Sequence, residues 1–240
     1  MGALDAFGVD AVNHYTPLHY LPFIGRARSL LGKPSLAQRG FSSQHLRSMS
    51  SRQDVARGFG EYAFLTLDSK ARILQAKLEA GFRHIGIRVP SSVFNGLQFG
   101  LCRYNVAMTR FLRRDGKTGF PESASNGRYY GDQQIPIAKT EADQRSMLEA
   151  HLQSGTMIEV LVSGDVPLPP ATTVVAFSVE DAGIAQDVVS RLNLQWRVFV
   201  EQPPGPYNRR SDHVRNVSDF IAQALENANW RGNGLEFDRI

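Results

Sequence analysis

The sequence predicts an α+β fold, in which the strands of a mixed or antiparallel sheet are scattered among helices. Apolar and alternating runs indicate strands at 61–68, 82–90 and 157–162. Helical patterns occupy 141–152 and 180–192. These elements do not follow a regular strand–helix–strand order, and this irregularity favours α+β over a parallel α/β sheet.

The N-terminal elements are predicted to be a strand, a turn and a short helix within 13–31. Thr16 is the expected N-cap of this helix. Pro17 suits the first helical position, because the N–H that proline lacks would be unpaired there in any residue. A loop rich in Gly, Ser and Arg follows at 32–60, and a further helical pattern lies at 70–80.

The C-terminal half begins with a long stretch of turn-forming residues at 115–140. Connections of this length are usually functional lids or disordered segments. Thr140 is placed to cap the helix predicted at 141–152. The chain ends in an amphipathic helix and a polar tail at 213–240, and we expect a single domain over 1–240.

The composition is that of a soluble globular protein, since 42% of the 240 residues are hydrophobic and 21% are charged. The single cysteine, Cys102, excludes an internal disulfide and a cysteine-rich zinc site. We expect a half-buried free thiol and no bound metal. The sequence shows neither a signal-peptide pattern nor the ~18 apolar residues of a membrane span, which predicts a cytoplasmic protein without a membrane partner. The net charge of +4 favours an anionic partner.

Glu159 is an isolated carboxylate within the apolar segment MIEVLV at 157–162. Strand alternation places it on the same face as Met157 and Leu161. Burying a carboxylate in such a strand costs free energy unless it is paired, hydrogen-bonded or lines a cleft. At a cleft it can stabilise a developing cation, as in glycosyl transfer. The alternative is a charge on an edge strand that faces water.

The tripeptide His14-Tyr15-Thr16 immediately precedes the predicted helix, near backbone N–H groups that favour anions. The alternative for His14 is a local hydrogen bond to a backbone carbonyl. Arg52 and Tyr62 bracket a Gly-containing loop further along the chain. Tyr62, at the entry of a strand, is either a core residue or a stacking surface, and the pattern alone does not choose between them.

Three segments, in this order, resemble the DarT family of toxins. HYTPLHYLPFI at 14–24 is similar to the family's His-x-Thr opening, with Tyr20 where the family has asparagine. RQDVARGFGEYAFLTL at 52–67 is similar to the family's arginine, Gly-containing loop and aromatic strand. MIEVLVSGDVP at 157–167 resembles the catalytic Glu-x-Leu-Val segment and the Val-Pro that follows it.

The resemblance implies an ADP-ribosyltransferase fold, a split mixed or antiparallel β-sheet with flanking helices around an NAD⁺ cleft. NAD⁺ would be the co-substrate, and no metal would be required. Glu159 would hold a hydroxyl of the nicotinamide ribose, stabilise the oxocarbenium ion and take the proton released by the acceptor base. Arg52 would contact a phosphate or that base.

The same resemblance implies an NAD⁺-binding set on the N-terminal segments. His14 would hydrogen-bond the ribose on the adenosine side, with Tyr15 and Thr16 beside it. Tyr20 occupies the position of the family's asparagine and is placed in the same set. Tyr62 would pack against the nicotinamide.

The resemblance implies that the acceptor is a base of single-stranded nucleic acid. DarT toxins modify DNA and related phage-defence toxins such as CmdT modify RNA, so both acceptors remain open. We expect Arg128, Tyr129 and Tyr130 to form a platform for unpaired bases, although a simple mobile loop is the alternative. An antitoxin protein is the expected partner, in a toxin–antitoxin or phage-defence system. Transfer to a protein side chain, or a non-catalytic nucleic-acid-binding module, are the alternative functions.

Overall fold

The computed structural model describes residues 3–32, 62–67, 83–103, 137–154, 158–203 and 217–227, together with residues 35, 38, 74 and 78. The described strands are β1 (Ala11–Pro17), β2 (Ser29–Leu30), β3 (Tyr62–Thr66), β4 (His84–Pro90), β5 (Phe99–Arg103), β6 (Ile158–Ser163), β7 (Val166–Pro167), β8 (Thr173–Ala176) and β9 (Arg197–Val200). The described helices are α1 (Ala3–Ala6), α2 (Leu21–Ala27), α3 (Glu141–Ser154), α4 (Val179–Arg191) and α5 (Val217–Glu226). Two 3₁₀ turns span Leu18–Tyr20 and Ser91–Gly96.

The sheet is mixed, as the sequence predicts. Its seven strands lie in the order β5-β6-β3-β1-β4-β8-β9, and a separate two-stranded sheet joins β2 to β7. Within the seven strands only the β8–β9 pair is parallel. This arrangement confirms the α+β class.

The seven-stranded sheet has two chemically different faces. One face, the core face, carries apolar side chains such as Val12, Ile87 and Val160. The described helices pack onto it, because Leu148 of α3 and Val188 of α4 belong to the same buried cluster. Burying these side chains supplies the main stabilisation of the fold, at about 25 cal/mol per Å² of apolar surface. The opposite side, the outer face, carries polar residues together with two small apolar clusters.

The sheet is split between β1 and β3. These neighbours pair at one position only, Asn13 with Thr66, whereas β1 pairs with β4 along its whole length. The residues that follow Asn13 on β1 have no ladder partner on β3. The strands therefore separate beyond this pair, dividing the sheet into a β5-β6-β3 part and a β1-β4-β8-β9 part.

The predicted N-cap at Thr16 is wrong. The β1 ladder with β4 continues through Pro17 and His84, so Thr16 has a strand conformation. Helix α2 begins only after a 3₁₀ turn, with Tyr20 at its N-cap and a proline in its first turn. The long-range pairing with β4 overrides the local helix-start signal.

Several other predictions can be compared with the structure directly. The strands expected near 61–68, 82–90 and 157–162 are confirmed as β3, β4 and β6, and the helices near 141–152 and 180–192 as α3 and α4. Thr140 caps α3 as predicted, since its Oγ accepts from the Asp143 N–H at 3.2 Å. The Cys102 thiol is buried rather than half-buried, because β5 lies beside β6 and under Ile137.

Arg83 holds the start of α4 to the start of β4. Ser178 caps α4 by accepting a hydrogen bond from the Asp181 N–H at 3.1 Å. The Asp181 side chain is 1% exposed, and Arg83 Nε donates to its Oδ1 at 2.8 Å. A buried carboxylate left without its cationic partner is strongly destabilising.

We therefore expect Arg83→Met to lower the free energy of unfolding by about 3 kcal/mol, because the variant removes the guanidinium beside buried Asp181. Chemical denaturation measures the change. Arg145→Met is the matched control, since Arg145 pairs with Glu141 on the exposed surface of α3, where such a pair contributes below about 0.5 kcal/mol. Equal stability losses in the two variants would contradict this assignment.

Candidate active site

A row of polar side chains crosses the outer face of the sheet. Directly paired residues on neighbouring strands point to the same face. The ladders place one row of paired positions across all seven strands, in the order Cys102, Glu159, Thr66, Asn13, Arg88, Thr173 and Arg197. We call this set the polar row. It runs through the pair at which β1 and β3 meet, so it lies at the foot of the split.

Glu159 is held in the row by a ladder on each side. β6 pairs it with Cys102 on β5 and with Thr66 on β3. Its side chain is 7% exposed. The Thr66 hydroxyl donates to the Ile158 carbonyl at 3.1 Å and is therefore turned toward the backbone of β6. The expected alternation is confirmed, because Glu159 and Leu161 lie on the outer face while Ile158, Val160 and Val162 face the core.

The pKa of Cys102 depends on its burial and on the nearby charge of Glu159. Burial raises the pKa of the Cys102 thiol far above its usual range, and the adjacent Glu159 carboxylate raises it further. The thiol is therefore neutral at physiological pH and is not a nucleophile. It covers one side of Glu159 with a small apolar group.

His14 crosses the split between the two separated strands. Its Nδ1 lies 2.9 Å from the Phe64 carbonyl oxygen of β3. A carbonyl oxygen only accepts, so Nδ1 carries the proton and Nε2 is an acceptor in the neutral ring. One side-chain hydrogen bond thus links β1 to β3 where their backbone ladder has ended.

Aromatic residues form the two walls beside the split on the outer face. On β1, the Tyr15 ring lies over Gly86, and a Cβ atom at Gly86 would be only 3.1 Å from Cε1 of that ring. The centroids of the Tyr15 and Phe177 rings are 6.5 Å apart. On β3, Tyr62 and Phe64 pack against the buried Leu161. Beyond the polar row, these aromatic residues therefore lie on the two strands that border the split.

The structure brings only some of the predicted site residues together. Tyr15, Tyr62 and Glu159 share the outer face, with Tyr62 roughly 13 Å along β3 from the row at the usual rise per residue. Strand alternation places His14 and Thr16 on the core face of β1. Of these two residues, His14 contacts β3 across the split through its hydrogen bond to Phe64.

The remaining predicted site residues lie elsewhere or cannot be placed. Tyr20 lies in the 3₁₀ turn after β1, with its ring 4.3 Å from that of His19. Arg52, Arg128, Tyr129 and Tyr130 lie outside the described residues.

Among the residues of the row that the sequence did not single out, Asn13 and Arg88 are linked to each other by a side-chain hydrogen bond. Arg88 Nε donates to Asn13 Oδ1 at 3.2 Å, and its two terminal nitrogens donate to Glu201 at 2.6 and 2.7 Å. The signal for Arg88 was available, since it is a lone charge in the apolar strand HIGIRVP, as Glu159 is in MIEVLV. Asn13 gave no comparable signal.

Two features are absent from the described part of the chain. It contains no cluster of three or more His, Cys, Asp or Glu side chains arranged to hold a metal ion. None of the helices described there combines the length and apolar character needed to cross a membrane.

Comparison with known proteins gives a fold but no sequence family. No model of a protein family matches the chain, and no curated protein matches it. Among solved structures, Thermus sp. 2.9 DarT in complex with ADP-ribosylated ssDNA matches with a TM-score of 0.51 and 10% identity, over 81% of this chain and 95% of that one. The same protein with NAD⁺ matches with a TM-score of 0.46 and 12% identity, over 81% and 96% of the two chains. The first likeness shows that this chain has the DarT-type ADP-ribosyltransferase fold.

The buried thiol leads to a pH-dependent prediction. The unfolded chain ionises Cys102 at its ordinary pKa of 9.0, whereas the folded chain keeps it neutral. Because the folded pKa is raised, this contribution to stability is complete below 9.0 and is lost as the pH rises above it. The wild type should therefore lose about 1 kcal/mol per pH unit relative to Cys102→Ala in that range. Denaturant unfolding on either side of 9.0 measures it, and parallel pH profiles would refute it.

Proposed function

We propose that this chain is an ADP-ribosyltransferase that takes ADP-ribose from NAD⁺ and transfers it to a base of single-stranded DNA. The observation that carries the proposal is the position of Glu159, a buried carboxylate in the polar row at the foot of the split. On a sheet of the DarT fold, this arrangement supplies a negative charge beside the opening between β1 and β3.

The walls of the split fit a dinucleotide in chemical character. Tyr62 and Phe64 on β3 are partly exposed and offer aromatic surface to flat rings, while Tyr15 on β1 packs against the buried Leu74, Leu78 and Phe177. The Nε2 of His14 is an acceptor, which suits a ribose hydroxyl that donates. Glu159 accepts such a bond as well, at the other end of the site.

Glu159 contributes most to the step that separates nicotinamide from the ribose. As the bond between the ribose carbon and the nicotinamide nitrogen breaks, its electron pair leaves with nicotinamide, and positive charge grows on the ribose. A fixed carboxylate stabilises that charge more in the transition state than in the ground state. The acceptor base then forms the new bond to the ribose carbon and loses a proton, which Glu159 takes.

Two observations favour DNA as the acceptor. The structure with the higher TM-score is Thermus sp. 2.9 DarT in complex with ADP-ribosylated ssDNA. The net charge of +4 suits an anionic strand. Arg52, Arg128, Tyr129 and Tyr130 remain our proposed contacts to the acceptor strand. A single strand is the favoured substrate, because its bases need no unpairing before reaction.

We further propose that the activity is toxic and that an antitoxin protein neutralises it. Modified bases in exposed single strands would interrupt replication, so a cell carrying the enzyme needs a partner that restrains it. Expression in a bacterial host without other genes should arrest growth, and Glu159→Gln should relieve the arrest. Equal arrest by the Gln variant would separate toxicity from the proposed chemistry.

Glu159→Gln should lower the rate of nicotinamide release by at least about 100-fold, because the isosteric amide cannot stabilise the cation. Chromatography of nicotinamide, with NAD⁺ and a single-stranded oligonucleotide present, measures the rate. Glu149→Gln is the matched control, since Glu149 lies on the exposed side of α3 and should react as the wild type does. Full activity in the Glu159 variant would show that another carboxylate performs this role.

Mass spectrometry of mixed oligomers tests the acceptor. We expect single-stranded DNA to gain one ADP-ribose in the presence of NAD⁺ and the wild-type protein, while duplex DNA does not. Modification of RNA alone would replace the DNA assignment. Modification of added protein alone would show that the acceptor is a protein side chain. If no acceptor leads to the release of nicotinamide, the protein is a non-catalytic binding module instead.

A further inference from the structure

We infer that Asn13 is a substrate-binding residue that presents an amide donor to the nicotinamide-side ribose, opposite Glu159. The inference rests on the proposed function, since it assigns a role to Asn13 in the same NAD⁺ site. It is carried by the geometry of the polar row and by the hydrogen bonds of the Asn13 side chain. Arg88 and Glu201 enter as positioning residues that fix the orientation of this amide.

The amide of Asn13 has a defined orientation. Arg88 can only donate, so the atom it contacts at 3.2 Å must be the carbonyl Oδ1. The Nδ2 donor therefore points away from Arg88. Glu201 holds both terminal nitrogens of Arg88, and its own backbone N–H donates to Ala176 O at 2.9 Å. The orientation of the Asn13 amide is thus set by a chain of contacts anchored in the sheet.

The donor of Asn13 is not used within the described part of the protein. The Asn13 side chain is buried, with 5% exposed, and no described group accepts from its Nδ2. This nitrogen is not among the fully buried side-chain atoms that lack a partner, so it reaches the surface of the outer face, where a ligand group with an acceptor oxygen can meet it.

The position of Asn13 identifies the kind of oxygen. In the row, Glu159 and Asn13 lie on either side of Thr66, with Cα atoms about 10 Å apart, which is two strand spacings. The Thr66 hydroxyl is turned to the Ile158 carbonyl, so a small methyl-bearing side chain lies between them. A sugar ring fits this interval. Its vicinal diol can donate to the Glu159 carboxylate and accept from the Asn13 amide, which matches the two partners.

The test combines the substitution of Asn13 with the removal of single hydroxyl groups from the ligand. Calorimetry measures the affinity for NAD⁺ and for two analogues that lack the 2′- or the 3′-hydroxyl of the nicotinamide-side ribose. The wild type should prefer NAD⁺ over at least one analogue. Asn13→Ala should reduce that preference by about threefold to tenfold, the usual worth of one hydrogen bond. If Asn13 served only the folding of the protein, its replacement would weaken the binding of NAD⁺ and of both analogues by the same factor, and the preference would not change.

Three further variants keep the result interpretable. Asn13→Asp retains the acceptor for Arg88 but has no donor, so it should lose the same preference even if the Ala variant folds poorly. Arg88→Met should reduce the preference in the same direction, because the amide loses its fixed orientation. Asn95→Ala is the matched control, since this asparagine bonds Asp5 in the exposed turn after β4 and should keep the full preference.

The results distinguish a wrong assignment of Asn13 from a wrong proposed function. If the wild type binds NAD⁺ and both Asn13 variants retain the full preference for it over both analogues, the assignment of Asn13 is wrong while the proposed function stands. If the wild type binds no NAD⁺, the proposed function is wrong and the assignment of Asn13 falls with it.

Discussion

The site depends on one constraint, the single pairing of Asn13 with Thr66 between β1 and β3. With full pairing along both strands, the sheet would be continuous and no opening would exist. With no pairing, the two halves would not share a sheet, and the polar row would be interrupted. One pair joins the halves, and the next residues of β1 continue their ladder with β4 but not with β3, while the His14 ring bonds the Phe64 carbonyl across the gap.

The two faces of the sheet contribute differently to the fold and to the site. The core face buries apolar side chains against helices, which stabilises the fold without requiring polar groups. The outer face instead carries the Glu159 carboxylate and the Asn13 amide, two polar side chains with little exposed surface. The proposed function accounts for both groups with one ligand, because a ribose diol donates to the carboxylate and accepts from the amide.

The sequence predicted the parts of this structure that local patterns control. Glu159 was identified because a charge interrupts an apolar strand, and the structure places it in the row at the foot of the split. The N-cap at Thr16 was wrong because the ladder with β4 lies outside any local window. The link between Asn13 and Arg88 could not be predicted, since it depends on the register of strands far apart in the chain. The short β8 was missed because four residues carry little pattern.

The most direct test of the central claim is a crystal structure with a non-hydrolysable NAD⁺ analogue. The ligand should lie in the split between β1 and β3, with its nicotinamide-side ribose over Thr66 and within hydrogen-bond distance of Glu159. An analogue bound away from the split, or on the core face, would contradict the assignment of this opening as the donor site.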